Sequence, residues 1–367
     1  MSAPEPTATP PAATAPSRPA APPPGGGAGA GAASGARLLD LRFIVVSGKG
    51  GVGRTTVAAA LARAARAAGK RVLVAQTDAA ERLGQMLVHV EPSGAIGPVV
   101  RTLEPGLDVV NMTPRESLHQ YALLVLKYEA VYRALFENRA VRGFLSAVPG
   151  LDAYAMLGKA WWHTTERLPG PGAALGPPRY DLVILDGPAS GHAITMLRIP
   201  GAILATMPAG PLARDARALA TLLGDPAQSA LVVVTRAEEL PARETVELVA
   251  AARAAARPAG PGGGTAGLAL GPLIVNAIPS DALLEPAVAG VLDRLPASTG
   301  DGAVDAIARL ASTARAQATT AGAILAELGR NPGLPMIRLP ALPRTSLGPL
   351  DIEALARHLT APRPPAT

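Results

Sequence analysis

The residues best placed to do chemistry lie in one run, Gly48-Lys49-Gly50-Gly51-Val52-Gly53-Arg54-Thr55-Thr56. Glycines at this density let a backbone curl until successive N–H groups point at a common centre, the arrangement that holds phosphate oxygens. Lys49 and Arg54 add positive charge to the same run, and the Thr55 hydroxyl stands where it can bind Mg²⁺. The elements around the run fit that chemistry. Phe43-Ile44-Val45-Val46 before it is a continuous apolar stretch, as expected of a strand buried on both faces. Thr55–Ala68 after it is Ala-rich, a good helix by propensity, and Gly69 stands where a helix C-terminal glycine would. A helix starting beneath the loop adds its partial positive charge. Gly48, Lys49, Gly50, Gly51, Val52, Gly53, Arg54, Thr55 and Thr56 are therefore the candidate phosphate site. The competing reading of the glycines alone is a structural turn.

Two carboxylates and one amide end apolar runs of the same kind. Asp78 follows the expected strand Arg71–Ala75, Asp186 closes Tyr180–Asp186, and Asn276 closes Leu273–Asn276. In parallel sheets, ligands meet the carboxyl ends of the strands. A carboxylate such as Asp186 beside a phosphate loop can hold Mg²⁺ through its water shell, together with Thr55. An Asn amide can both donate to and accept from a nucleobase. Gly187-Pro188-Ala189-Ser190-Gly191-His192 follows Asp186. Gly191 could let a backbone N–H approach a terminal phosphate. His192, read as a loop histidine, has a structural reading of equal weight.

Further strands are expected at Leu107–Val110 and Ala230–Thr235, with helical stretches between. Strand alternating with helix implies an α/β fold with a mostly parallel sheet and helices on both faces. Leu118, Tyr121, Leu124, Val125, Tyr128, Val131 and Leu135 recur at spacings of three and four, a helical stripe. Residues 115–168 thus read as a helical insertion. Residues 169–178 and 258–266 read as Gly/Pro loops. Residues 1–37 are Ala, Pro, Gly, Ser and Thr almost throughout and read as a disordered tail before a domain spanning 38–360, with 361–367 as a second tail.

Composition narrows the classes. The chain has 367 residues, a net charge of +6 and only four lysines, Lys49, Lys70, Lys127 and Lys159. The arginines are dispersed rather than striped, so no nucleic-acid partner is expected. There is no Cys, which excludes thiolate metal sites, disulfides and iron–sulfur ligation. Residues 1–36 carry one basic residue, Arg18, and no apolar core of a signal peptide. With no transmembrane run visible, a cytoplasmic location is expected.

Lys-Gly-Gly-Val-Gly-x-Thr-Thr resembles the deviant phosphate-loop signature of the ParA/MinD/ArsA class of dimeric P-loop ATPases. The segment from Asp186 to His192 resembles the switch II of the ArsA-type and tail-anchored-protein-targeting ATPases within that class. Thr195–Pro200, Glu244-Thr245, Asn276 and Leu339–Pro343 fit the same family. The likeness covers roughly residues 41–360. It implies a P-loop NTPase fold that uses ATP and Mg²⁺. It also implies catalytic roles for Asp78, Lys49 and Arg54. Asp78 would orient the attacking water, Lys49 would reach phosphates held by a partner subunit, and Arg54 would stand where the family has lysine. Thr55 and Asp186 would serve the metal, Gly191 the γ-phosphate and Asn276 the adenine. The sequence departs from the family after Asp78, where Ala79-Ala80-Glu81-Arg82 replaces the usual Pro-Ala-His-Ser.

Three functional readings stand on these residues. The first is a dimeric ATP-driven switch, homodimeric or paired with a paralogue, acting on an apolar-helix or membrane-protein client. The second is a nucleotide-binding regulator in which Arg54 prevents turnover. The third is a positioning ATPase. The stripe from Leu118 to Leu135 is either a client groove or ordinary core. Cysteine-based metalloid binding is excluded.

Overall fold

The computed structural model describes residues 35–77, 79, 82–88, 96–126, 151–171, 175–255, 269–294 and 300–361. By contact the chain divides into residues 1–32 and 33–367, and the fold below is that of the second part. Asp78, the stripe residues from Tyr128 onward, the 258–266 linker and the tail up to residue 34 lie outside the described residues.

Eight strands form one sheet in the order β10-β9-β8-β1-β7-β2-β4-β3. They are β1 Phe43–Gly48, β2 Val72–Thr77, β3 Arg101–Glu104, β4 Leu107–Met112, β7 Leu182–Ala189, β8 Ser229–Arg236, β9 Leu270–Ile278 and β10 Met336–Pro340. Every neighbouring pair runs parallel except β3 against β4. All six residues of β1 are buried, as its uninterrupted apolar sequence requires of a strand covered on both sides. Period-two alternation divides them. Ile44 and Val46 enter one core, Phe43 and Val45 the other.

On the first face lie α2 (Arg54–Ala67) and α11 (Pro349–Thr360), with the short α1 (Gly35–Leu38) and α3 (Leu83–Leu87). Val57 and Leu61 of α2 share a core with Ile352, Leu355 and Leu359 of α11 and with the inward residues of β1 and β2. The run of buried alanines in α2 allows its backbone to lie close to the sheet. On the second face lie α5 (Leu151–Thr165), α6 (Ser190–Thr206), α7 (Pro211–Gly224), α8 (Glu239–Ala255) and α10 (Gly302–Arg330). Tyr154, Leu157, Met196, Leu223, Val249 and Leu325 carry that core. A short α9 (Pro286–Leu292) precedes α10. Among the described residues, no helix is long and apolar enough to cross a membrane.

Between β4 and β7 stands α4 (Pro114–Leu126), which packs against α5. The stretch expected as a loop at 169–178 is instead part of a two-stranded hairpin, β5 Arg167–Pro169 with β6 Leu175–Pro178. Its prolines are tolerated because a two-stranded ribbon has free edges that need no N–H donor. The segment expected as a Pro-rich closing loop begins as the end of β10, which extends the sheet beside β9.

Candidate functional site

β1 lies between β7 and β8, so its C-terminal end opens at the middle of the sheet. The chain leaves Gly48 there, turns through the glycine run and enters α2 at Arg54. Gly50 and Gly51 are exposed at the crest, whereas Val52 is buried and anchors the loop from below. Gly53, the residue before α2, has φ 93°. Its carbonyl accepts the first helical bond from Val57 N at 2.9 Å. Thr56 is buried in the first turn, and Thr55 is half-buried beside it.

Asp186 on β7 is the centre of a polar cluster. Its Oδ2 accepts from Thr55 Oγ1 at 2.7 Å and from Gln76 Nε2 at 3.3 Å. The carboxyl is 5% exposed, and that burial pushes its pKa up. The two hydrogen bonds and the Arg54 charge act in the opposite direction. Arg54 donates from Nη1 to the Gly187 carbonyl at 2.5 Å. Ser47 Oγ donates to the Pro188 carbonyl at 3.0 Å and Thr77 Oγ1 to the Asp186 carbonyl at 3.1 Å. Side chains from three consecutive elements thus pin the backbone at 186–188. The parallel register that sets Val46 against Asp186 and Gln76 against Asp186 makes this possible.

Lys49 forms an ion pair with Glu244 of α8 in the same chain. Asn276, on β9, is buried, and its Nδ2 donates to the Val52 carbonyl at 2.9 Å. Gly191 and His192 are exposed in the first turn of α6. His192 is therefore a helical residue rather than a loop histidine. The extended Ala189 ends β7, and the helix begins at once with Ser190. Thr195 to Pro200 continue the same helix, with Met196 and Leu197 buried in the second core.

The structure thus brings together the loop, Arg54, Thr55, Asp186 and Asn276, with Lys49 held at the margin. Asp78 lies outside the described residues. Its neighbour Ala79 is clamped by Asn111 of β4, which accepts from Ala79 N at 3.1 Å and donates to Ala79 O at 2.8 Å. Gln76, Asn111 and Ser47 were not anticipated. Their one sequence signal is a polar residue at the carboxyl end of a buried apolar strand. A separate cavity of about 480 Å³ lies at the far end of α2, lined by Arg63, Arg66, Glu104, Glu353 and Arg357. It contains none of the loop residues.

A glycine loop at the end of the central strand of a parallel sheet, running into a helix and facing a strand-end carboxylate, defines a P-loop NTPase fold. Residues 41–210 match the family described as anion-transporting ATPase. The chain is 28% identical over 216 residues to ATPase BagA of Mycobacterium tuberculosis, covering 58% of this chain and 62% of that one. It is 29% identical over 210 residues to an arsenical pump-driving ATPase of Acidiphilium multivorum, covering 53% and 34%. It is 27% identical over 164 residues to ATPase ASNA1 homolog 1 of Paramecium tetraurelia, covering 44% of each. These matches support a likeness of residues 41–210 to the anion-transporting, ArsA-type ATPases. The matched region spans less than two thirds of the length of each of these relatives.

Proposed function

We propose that this chain binds ATP with Mg²⁺ at the loop Gly48–Thr56 and hydrolyses it as a dimeric switch. The observation that carries the reading is the 2.7 Å approach of Thr55 Oγ1 to Asp186 Oδ2 directly behind the loop. Two hard oxygen donors at that spacing suit Mg²⁺, which keeps most of its water shell and takes few protein ligands. Thr55 and Asp186 would hold the ion, and its charge would offset that of the phosphates. The loop N–H groups from Gly50 to Thr56 would bind the phosphates, and Gly191 would bring the α6 N-terminus to the terminal one. Asp78 would orient the attacking water. Lys49 would leave Glu244 to reach across to a second subunit.

Arg54 decides between turnover and binding alone. It keeps the charge of the family's lysine but is planar, larger and always ionised. Its bond to the Gly187 carbonyl holds it against the end of β7. That contact favours a second reading, a nucleotide-binding regulator with little turnover. A client that is an apolar helix or membrane protein would engage the region of α4 and α5, with the nucleotide state passed on through α6.

The test is MgATP binding and steady-state hydrolysis on the full chain, beside Arg54→Lys and Asp78→Asn. Hydrolysis by wild type that Asp78→Asn abolishes supports the switch. Hydrolysis seen only with Arg54→Lys, a gain of up to about 10²–10³-fold, supports the regulator. Wild type that binds no nucleotide sinks both.

A further inference from the structure

We infer that Asn276 is a positioning residue for the phosphate loop, acting on phosphate affinity even for a ligand that carries no base. This rests on the nucleotide reading above and is separate from the adenine-contacting role that the resemblance implies, since one N–H and Oδ1 of the amide remain. Three observations carry it. First, the Asn276 amide donates one N–H to the Val52 carbonyl at 2.9 Å, across 224 positions of sequence. Second, a Cβ built on Gly53 would lie 2.1 Å from that same nitrogen. The amide therefore fills the space beneath the loop that a side chain at position 53 would occupy. Third, Ala277 has φ 53°, the one non-glycine residue with positive φ among the described residues. A left-handed alanine is a strained conformation. Here it directly follows the residue whose side chain reaches the loop.

The physical consequence concerns carbonyl orientation. A phosphate loop works by turning its N–H groups inward, so its carbonyls must turn away and find donors elsewhere. Val52 is buried within the loop, at 2% exposure, so its carbonyl is largely shielded from water. Asn276 supplies the donor. With it, the Val52–Gly53 peptide is fixed with its N–H toward the crest. Without it, the buried carbonyl is unsatisfied and the peptide can rotate to seek solvent, taking one phosphate donor away.

The experiment uses the full chain as wild type, Asn276→Ala and the isosteric Asn276→Asp, which replaces the donor by an acceptor. Binding of ATP, GTP and inorganic tripolyphosphate is measured with Mg²⁺ by calorimetry, after thermal denaturation without ligand has identified which variants fold. The expected result is a loss of roughly five- to hundred-fold for tripolyphosphate, which carries no base, and a loss at least as large for ATP. A purely structural role would lower the melting temperature but leave the affinity of the folded fraction unchanged, and that result overturns the inference. Collapse of the ATP-to-GTP ratio with tripolyphosphate binding intact also overturns it and makes Asn276 a base reader. If wild type binds none of the three ligands, the nucleotide reading itself fails. If wild type binds all three and the variants bind equally well, only the inference about Asn276 fails.

Discussion

Glu244→Gln is expected to make the switch easier to close. Glu244 lies in the second turn of α8, and its carboxylate holds the Lys49 ammonium in the same chain. The two side chains are 29% and 33% exposed, so the pair is partly screened by water and contributes only ~0.2–1 kcal/mol. In the proposed dimer Lys49 must give up Glu244 before it can reach a phosphate on the partner subunit. That energy therefore favours the open form alone. A dimer of this chain breaks two such pairs on closing, so removing them shifts the open–closed equilibrium toward closed by roughly 2- to 30-fold, taking RT as about 0.59 kcal/mol. Gln is isosteric, and the neighbouring Thr245 stays bonded to the Pro241 carbonyl at 2.8 Å, so the helix start is undisturbed. The assay is ATP hydrolysis, or nucleotide-dependent dimerisation by light scattering, across a range of protein concentrations. The midpoint should fall by that factor with the plateau unchanged. Added salt should bring wild type toward the variant, because the exposed pair is screened. The reasoning is refuted if the variant needs more protein or reaches a lower plateau, since Glu244 would then be holding Lys49 in its working position.

Other perturbations have defined signs. Asp186→Asn should raise the melting temperature at neutral pH, because a buried carboxylate pushed above its ordinary pKa is a cost to the fold. The gap should close as pH falls through that raised pKa toward about 3.9, where wild type is protonated too; the same variant should lose Mg²⁺-dependent nucleotide binding. Asp181 behaves oppositely. Arg71 bonds it through Nε at 3.0 Å and Nη2 at 2.7 Å, and also through its backbone N–H at 2.9 Å. These bonds hold its carboxyl below the usual range. Asp181→Asn should therefore cost about 1 kcal/mol or less at pH 7, with the difference beginning to shrink at about pH 4 and vanishing as pH falls through the lowered folded-state pKa, followed by urea titrations. Gly53→Ala places a methyl at φ 93° and 2.1 Å from Asn276 Nδ2, and should cost about 1–3 kcal/mol of stability along with nucleotide binding.

The central strands were legible because burial on both faces demands an unbroken apolar run, and Phe43–Val46 and Leu182–Leu185 supply it. The edges were not. Arg101-Thr102-Leu103-Glu104 is half-exposed and polar, and Met336-Ile337-Arg338-Leu339-Pro340 alternates and ends in proline, so neither carries a buried strand's signature. At the site, residue type together with spacing showed which groups could meet phosphate or metal; glycine and aspartate alone would not, because both are ordinary turn residues at strand ends. It did not show which contacts those groups make when the loop stands alone. Lys49 meets Glu244 across 195 positions and Asn276 meets Val52 across 224, pairings that exist only once β1, β8 and β9 lie side by side. Other long-range pairings bear on how Arg54 would affect the proposed nucleotide site. Its guanidinium bonds to the Gly187 carbonyl at the end of β7, while the carboxylate that would hold Mg²⁺ keeps its own bonds to Thr55 and Gln76. A change of cation at position 54 therefore acts on the backbone after Asp186 through this hydrogen bond, and on the Asp186 carboxylate through its charge.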